Sequence, residues 1–171
     1  SLASDEQHGT QIKQWGWKEP NTHVLLDRLN QCSDHLKYIH VMRNGLEMAH
    51  STNQNQLRLW GPHFLGTQQG LTTFHALKFW CVVHRRISLI GNSMGDRFLM
   101  VNYNSLCDNP SEELQRITRF VNSDSSAETI SALAELVKPS PRTKLHTDYN
   151  LDSFDPEDLN YVRSMGFQIA N

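Results

Sequence analysis

Lys37-Tyr-Ile-His-Val-Met-Arg-Asn-Gly-Leu-Glu-Met-Ala-His-Ser51 is the stretch on which the reading of this chain turns. Its first part, Lys37 to Met42, is a short β-rich run that reads as a buried strand. Arg43-Asn44-Gly45 breaks the run, and helical spacing resumes from Leu46 to about Gln56. Residues 37–56 therefore read strand, tight turn, helix. In open α/β sheets, ligands gather beyond the carboxyl ends of the strands, and Arg43 stands at that place. A helix amino terminus with unpaired N–H groups beside a guanidinium fork suits a phosphate. Arg43 could equally cap a surface turn and pair with a carboxylate, and the residues alone leave both open.

Outward from this unit, further elements are legible. Asn21 is expected to cap a helix running to about Gln31, with Val24, Leu25, Leu26 and Leu29 on its apolar face. Gly61-Pro62 and Gly66 to Gly70 mark a loop. Thr72 or Thr73 starts a long helix through Ile90, which Gly91-Asn92 and Gly95 are expected to end. Arg97-Phe-Leu-Met-Val-Asn102 is the second clear strand. Asn109-Pro110-Ser111-Glu112 signals a helix from Pro110 to Val121. Ser125 with Glu128 opens another, to about Val137, and Asp155-Pro156-Glu157-Asp158 a last one that Gly166 ends. Lys138 to Tyr149, with its prolines and basic residues, reads as an ordered loop. Strands followed by helices predict an α/β fold, a parallel sheet flanked by helices. Only two strands are evident, fewer than a stable parallel sheet normally has.

Composition narrows the function. A chain of 171 residues with 38% hydrophobic residues accommodates one core rather than two. A formal charge of −2 argues against a general nucleic-acid binder. The apolar runs are far shorter than the roughly 20 residues that span a bilayer, and the polar stretch Ser1 to Thr10 carries no secretory signal. Cys32, Cys81 and Cys107 are odd in number and widely spaced, giving neither a disulfide framework nor a zinc pattern. No metal is expected, because the nine histidines form no HExxH or related ligand spacing. The expected compartment is cytoplasmic, with a Golgi lumen as the alternative if a membrane-anchored amino terminus precedes this chain.

The stretch from Lys37 to Ser51 resembles the segment of sulfotransferases that binds the 3′-phosphate of 3′-phosphoadenosine 5′-phosphosulfate (PAPS). That segment is an apolar strand followed by Arg-Asp/Asn-x-x-x-x-Ala-x-Ser, and Arg43, Asn44, Ala49 and Ser51 fit it. Three more blocks agree in order. Trp15-Gly-Trp-Lys-Glu-Pro20 is similar to the family's Trp-Gly-x-Lys-x-Pro. Trp80 with His84 stands where many members have Trp-x-x-x-Asn. Arg97 to Pro110 resembles the later strand with its Arg-Tyr-Glu-x-Leu, though Asn102 replaces the usual Arg and Asn104 the usual Glu. The resemblance spans about Trp15 to Val121, with a weaker tail to Phe167.

The resemblance implies a P-loop NTPase-like sulfotransferase fold, and 1–171 as the carboxyl-terminal two-thirds of a single domain incomplete at its amino terminus. It implies Arg43 and Ser51 on the 3′-phosphate, Lys18 as the catalytic cation near the sulfonate, and Tyr103 lining the adenine pocket. Arg142 and Lys144 fall where relatives bring a late basic loop onto the 3′-phosphate. Glu19 and His23 are candidates for the base that accepts the acceptor's proton. Sulfuryl transfer is an in-line displacement resting on positioning and charge neutralisation, supplied here by side chains and backbone. The family's Gly-rich loop for the 5′-phosphosulfate has no counterpart in this sequence. PAPS is the implied co-substrate; the acceptor is a carbohydrate, small alcohol, amine or peptide, shaped by Leu57 to Thr73. A non-catalytic nucleotide-binding or interaction fragment of such an enzyme is the competing reading; a related nucleoside-phosphate kinase is disfavoured by the absent Walker sequence.

Overall fold

The computed structural model describes residues 15–67, 70–138 and 149–169. Two strands, β1 (Tyr38–Met42) and β2 (Phe98–Asn102), pair in parallel. Their register runs from Tyr38 opposite Phe98 to Met42 opposite Asn102, so both strands end at one edge of the sheet. Eight α-helices accompany them among the described residues: α1 (Thr22–Cys32), α2 (Gly45–Ala49), α3 (Asn55–Leu65), α4 (Thr73–Met94), α5 (Tyr103–Asp108), α6 (Pro110–Phe120), α7 (Ala127–Leu136) and α8 (Pro156–Ser164). The result is a mixed α/β structure, a small parallel sheet flanked by helices.

Helix α4 is the centre of the core. Leu77, Trp80, Cys81, His84, Ile87, Gly91 and Met94 recur at three- and four-residue steps and are all buried, which turns one stripe of the helix inward. Helices α1, α2, α3 and α8 and strand β2 all pack against it. Burying a Leu or Ile side chain contributes about 1.5–3 kcal/mol, so Leu26, Leu57, Leu77, Ile87 and Val162, each essentially inaccessible, hold these elements together. At the α4–α8 contact Asp158, itself buried, lies 3.4 Å from Lys78 and 3.6 Å from Arg85, and Lys78 also meets Asp155 at 2.9 Å.

Several boundaries depart from expectation for identifiable reasons. The single helix expected from Leu46 to Gln56 is two. The Gln54 side chain donates to the carbonyls of Met48, Ala49 and Ser51 at 2.9, 3.3 and 2.7 Å, satisfying the end of α2 before α3 begins. Gly61-Pro62 lies inside α3, which ends instead at Gly66 with a positive φ of 92°. Gly91 does not end α4; the helix needs a glycine there because an added Cβ would sit 2.6 Å from the Phe98 ring of β2. Gly95, with φ of 59°, is the residue that terminates it. Helix α5 escaped the sequence reading, and Asn102, in place of the family's Arg, is its cap: the side chain accepts from the backbone N–H of Asn104 at 2.9 Å and Ser105 at 3.3 Å. Asp155 caps α8 as expected; Asn109 stands at the cap position of α6 without a side-chain cap bond, and α7 is capped by Ser126 rather than Ser125. No helix among the described residues is long and apolar enough to cross a membrane.

Candidate functional site

Because β1 and β2 end in register, Arg43 and Tyr103 leave the sheet side by side. The Arg43 guanidinium lies 5.1 Å over the Tyr103 ring. Its side chain is 42% exposed, and its charged partner is Glu47, one helical turn on, at 3.6 Å. A cation on an aromatic face with one long, half-exposed ion pair is only weakly committed. The Tyr103 phenol is held above its ordinary value chiefly by a hydrogen bond to the Cys107 side chain, with Arg43 pulling the other way.

The turn that presents Arg43 is clamped from below. Trp80 of α4 donates its indole N–H to the Arg43 carbonyl at 3.1 Å. Its ring lies so close that a Cβ on Gly45 would fall 2.9 Å from it. Asn44, buried, accepts from the Leu46 N–H at 2.9 Å and donates to the Gln168 carbonyl at 3.3 Å. The expected set of free N–H donors at the start of α2 is therefore already partly used, and the guanidinium is the group of this turn that reaches solvent. Trp80 belongs to the core, and it also fixes the backbone of Arg43.

Ser51 follows α2 at its far end from Arg43. Its hydroxyl accepts from the Asn53 N–H at 3.2 Å, and no hydrogen bond joins it to Arg43. Five helical residues rise about 7.5 Å, which sets the two groups at opposite ends of α2. Neighbouring His50 stacks on Tyr149 at 4.1 Å between ring centroids. Tyr149 titrates above its ordinary value, through burial and then the Glu47 carboxylate. On the other side, the Lys138 carbonyl accepts from the Cys107 thiol of α5 at 3.7 Å. Arg142 and Lys144 lie outside the described residues.

Lys18 sits in the fully exposed stretch Trp15–Pro20, apart from the Arg43–Tyr103 pair in every described contact. In Glu19 one carboxylate oxygen accepts from the Asn21 backbone N–H at 3.0 Å and from its side-chain amide at 2.7 Å. His23 is buried, with Nδ1 2.9 Å from the Pro20 carbonyl. That contact makes Nδ1 the protonated nitrogen and leaves Nε2 as a lone pair, enclosed and without a partner. His23 is enclosed, whereas Glu19 lies at the surface. Asn21, expected to cap α1 with its side chain, makes no such bond.

A second cluster of histidines lies under the site. His84 stacks on Trp80 at 4.2 Å, donates Nδ1–H to the Trp80 carbonyl at 2.7 Å, and meets His40 of β1 edge-on at 5.1 Å. Burial drives His40 down to about 3, with the positive charges His84 and His23 would carry adding to the shift. It drives His84 down to about 4, and lowers His23 as well, with Arg86 adding to the shift. All three are neutral packing groups at neutral pH. Among the described residues no group of three or more His, Cys, Asp or Glu side chains is placed to hold a metal ion.

No match appears among curated proteins or among solved structures. The model of the sulfotransferase family, by contrast, matches residues 2–126, a span that contains the Lys18 turn, the Arg43 and Tyr103 strand ends and the α4 clamp, and the chain belongs to that family.

Proposed function

We propose that this chain serves transfer of a sulfonate group from PAPS to a hydroxyl or amine of an acceptor, be it a carbohydrate, small alcohol, amine or peptide. The observation that carries the reading is the Arg43 guanidinium, held over Tyr103 at the shared carboxyl edge of β1 and β2. There it can take the 3′-phosphate through charge-assisted hydrogen bonds once Glu47 gives way. Ser51 would bond the same phosphate, and Tyr103 would line the adenine. Arg142 and Lys144 would bond the phosphate; support comes from the described residues on either side of them, since Lys138 meets Cys107 of α5 and Tyr149 stacks on His50 at the end of α2. Lys18 would stabilise charge on the sulfonate. In the reaction the acceptor atom forms the new bond to sulfur, the sulfur–oxygen bond to the 5′-phosphate breaks, and 3′-phosphoadenosine 5′-phosphate leaves. Because His23 is enclosed, the acceptor proton goes to another group or to water. A P-loop NTPase-like arrangement follows from this reading.

A second reading, a nucleotide-binding fragment without catalysis, is favoured by Asn102, whose side chain caps α5 instead of facing a ligand. Calorimetric titration with 3′-phosphoadenosine 5′-phosphate, beside ADP and an Arg43→Ala control, tests what both readings share. Tighter binding of the 3′-phosphorylated nucleotide, weakened roughly tenfold or more in the variant, is the expected result. Equal or absent binding of both nucleotides would rule the cofactor site out.

A further inference from the structure

Of the described residues before α1, Trp15 to Pro20 are all exposed, so packing does not hold the turn that carries Lys18. Its hydrogen bonds are mostly local: Trp17 Nε1 to Thr22 Oγ1 at 3.4 Å, the Thr22 N–H to the Glu19 carbonyl at 3.2 Å, and His23 to the Pro20 carbonyl. Asn21 differs. Its amide nitrogen and backbone N–H both donate to Glu19, at 2.7 and 3.0 Å, and its Oδ1 accepts from two distant donors of α3: Trp60 Nε1 at 2.9 Å and Gln56 Nε2 at 3.2 Å. Both acceptor sites of the carbonyl are filled, and the amide nitrogen is spent on the turn. This explains why the side chain leaves the α1 cap unmade.

We propose that Asn21 is the positioning residue for Lys18, a rigid link that fixes the lysine-bearing turn to α3. The proposal rests on the reading of Lys18 as the sulfonate-contacting cation. An ammonium on an otherwise exposed turn neutralises developing charge only if its backbone is held beforehand. The Asn21 amide, with one end on Glu19 and the other on Trp60 and Gln56, supplies that anchorage. Glu19 is thereby assigned a structural partnership with Asn21 in place of the role of acceptor base.

The link has two halves that substitution separates. Asn21→Asp keeps an oxygen for Trp60 and Gln56 but sets a second carboxylate against Glu19. Adding Glu19→Gln to it restores a donor–acceptor pair, with the same net charge as the natural pair. The readout is the affinity of the whole chain for PAPS divided by that for 3′-phosphoadenosine 5′-phosphate, measured by calorimetry. The two nucleotides differ only by the sulfonate, so the ratio reads the sulfonate contact, and the second nucleotide alone reads the rest of the site and the integrity of the fold.

Asn21→Asp is expected to lower the ratio roughly tenfold, as Lys18→Ala does. The double variant of the two should show no further loss, and Glu19→Gln with Asn21→Asp should recover most of the preference. An unchanged ratio in Asn21→Asp, where Lys18→Ala lowers it, overturns the proposal and leaves the role of Lys18 intact. Equal weakening of both nucleotides, or failure of the paired variant to recover, makes Asn21 merely structural and overturns it too. If the natural chain binds the 3′-phosphorylated nucleotide yet does not prefer PAPS, the proposal falls while the 3′-phosphate site stands. Binding of neither nucleotide removes both.

Discussion

Two turns of this molecule carry the cations of the proposed function, and they are built in opposite ways. The turn at Arg43 is held by the core. Trp80 bonds its carbonyl, Gly45 has no space for a side chain against the indole, and Asn44 is buried. The turn at Lys18 lies outside the core and is held by hydrogen bonds, chiefly those of Asn21. The contrast teaches where each can fail. An anion site backed by α4 depends on packing and shares the stability of the whole fold. A cation on a tethered turn depends on a few polar contacts, each worth about 1 kcal/mol, and can be displaced while the fold survives.

The largest expected effect comes from removing the clamp. Trp80→Ala deletes a buried indole and its bond to Arg43, and should destabilise the chain by about 3–5 kcal/mol in urea unfolding while abolishing preference for the 3′-phosphorylated nucleotide. Retention of that preference in chain that is still folded would mean the clamp does not set the Arg43 turn.

Acid should act on both turns together, because His23 lies under one and His40 and His84 under the other. All three have folded-state values depressed below 6.5. Between those values and 6.5 the unfolded chain binds more protons, so stability is fully present above 6.5 and is lost as pH falls through the window. His84 sets its lower part near 4 and His40 near 3. The slope is about 1.4 kcal/mol per pH unit for each such histidine. Unfolding free energies measured from neutral pH downward check this, and His40→Phe should flatten the dependence. Asp155, depressed mainly by its hydrogen bond to Lys78, acts in a separate window below 3.8. A flat profile above pH 5 would show that the histidines are not enclosed together.

Gly45→Ala should cost about 1–3 kcal/mol, since the indole is rigid and the backbone must shift. The same change made in Trp80→Ala should cost much less, a coupling readable from the four unfolding free energies of the cycle. Smallest is Glu47→Gln. Stability should change by under about 0.5 kcal/mol, as for an exposed pair one turn apart. Affinity for 3′-phosphoadenosine 5′-phosphate should rise slightly, because Arg43 loses its competing carboxylate; a fall would assign Glu47 to the ligand.

Much of the fold was legible because its signals are local. The apolar runs bounded by Arg43 and Asn102 mark the two strands, and Pro110 and Pro156 with their preceding caps mark α6 and α8. Arg43 was legible as well, from its place after a strand. Two misread positions share one cause: a residue with a strong local habit was used by something distant. Gly91 looks like a helix stop and is a clearance for Phe98. Asn21 looks like a cap and is a bridge to Trp60. Gly61-Pro62 looks like a loop and lies within α3. His23, a candidate base, is enclosed and bonds its neighbour Pro20.

The sequence by itself determined the family, the strand–turn–helix unit and the cation at its turn, since apolar run length, turn chemistry and motif spacing are properties of neighbouring residues. Only the tertiary structure decided that Tyr103 lies under Arg43, that Trp80 holds the turn and that Asn21 is tied to Gln56 and Trp60 of α3. Each of these joins residues tens of positions apart, and what brings them together is the parallel pairing of β1 with β2 and the burial of α4, which no local pattern encodes.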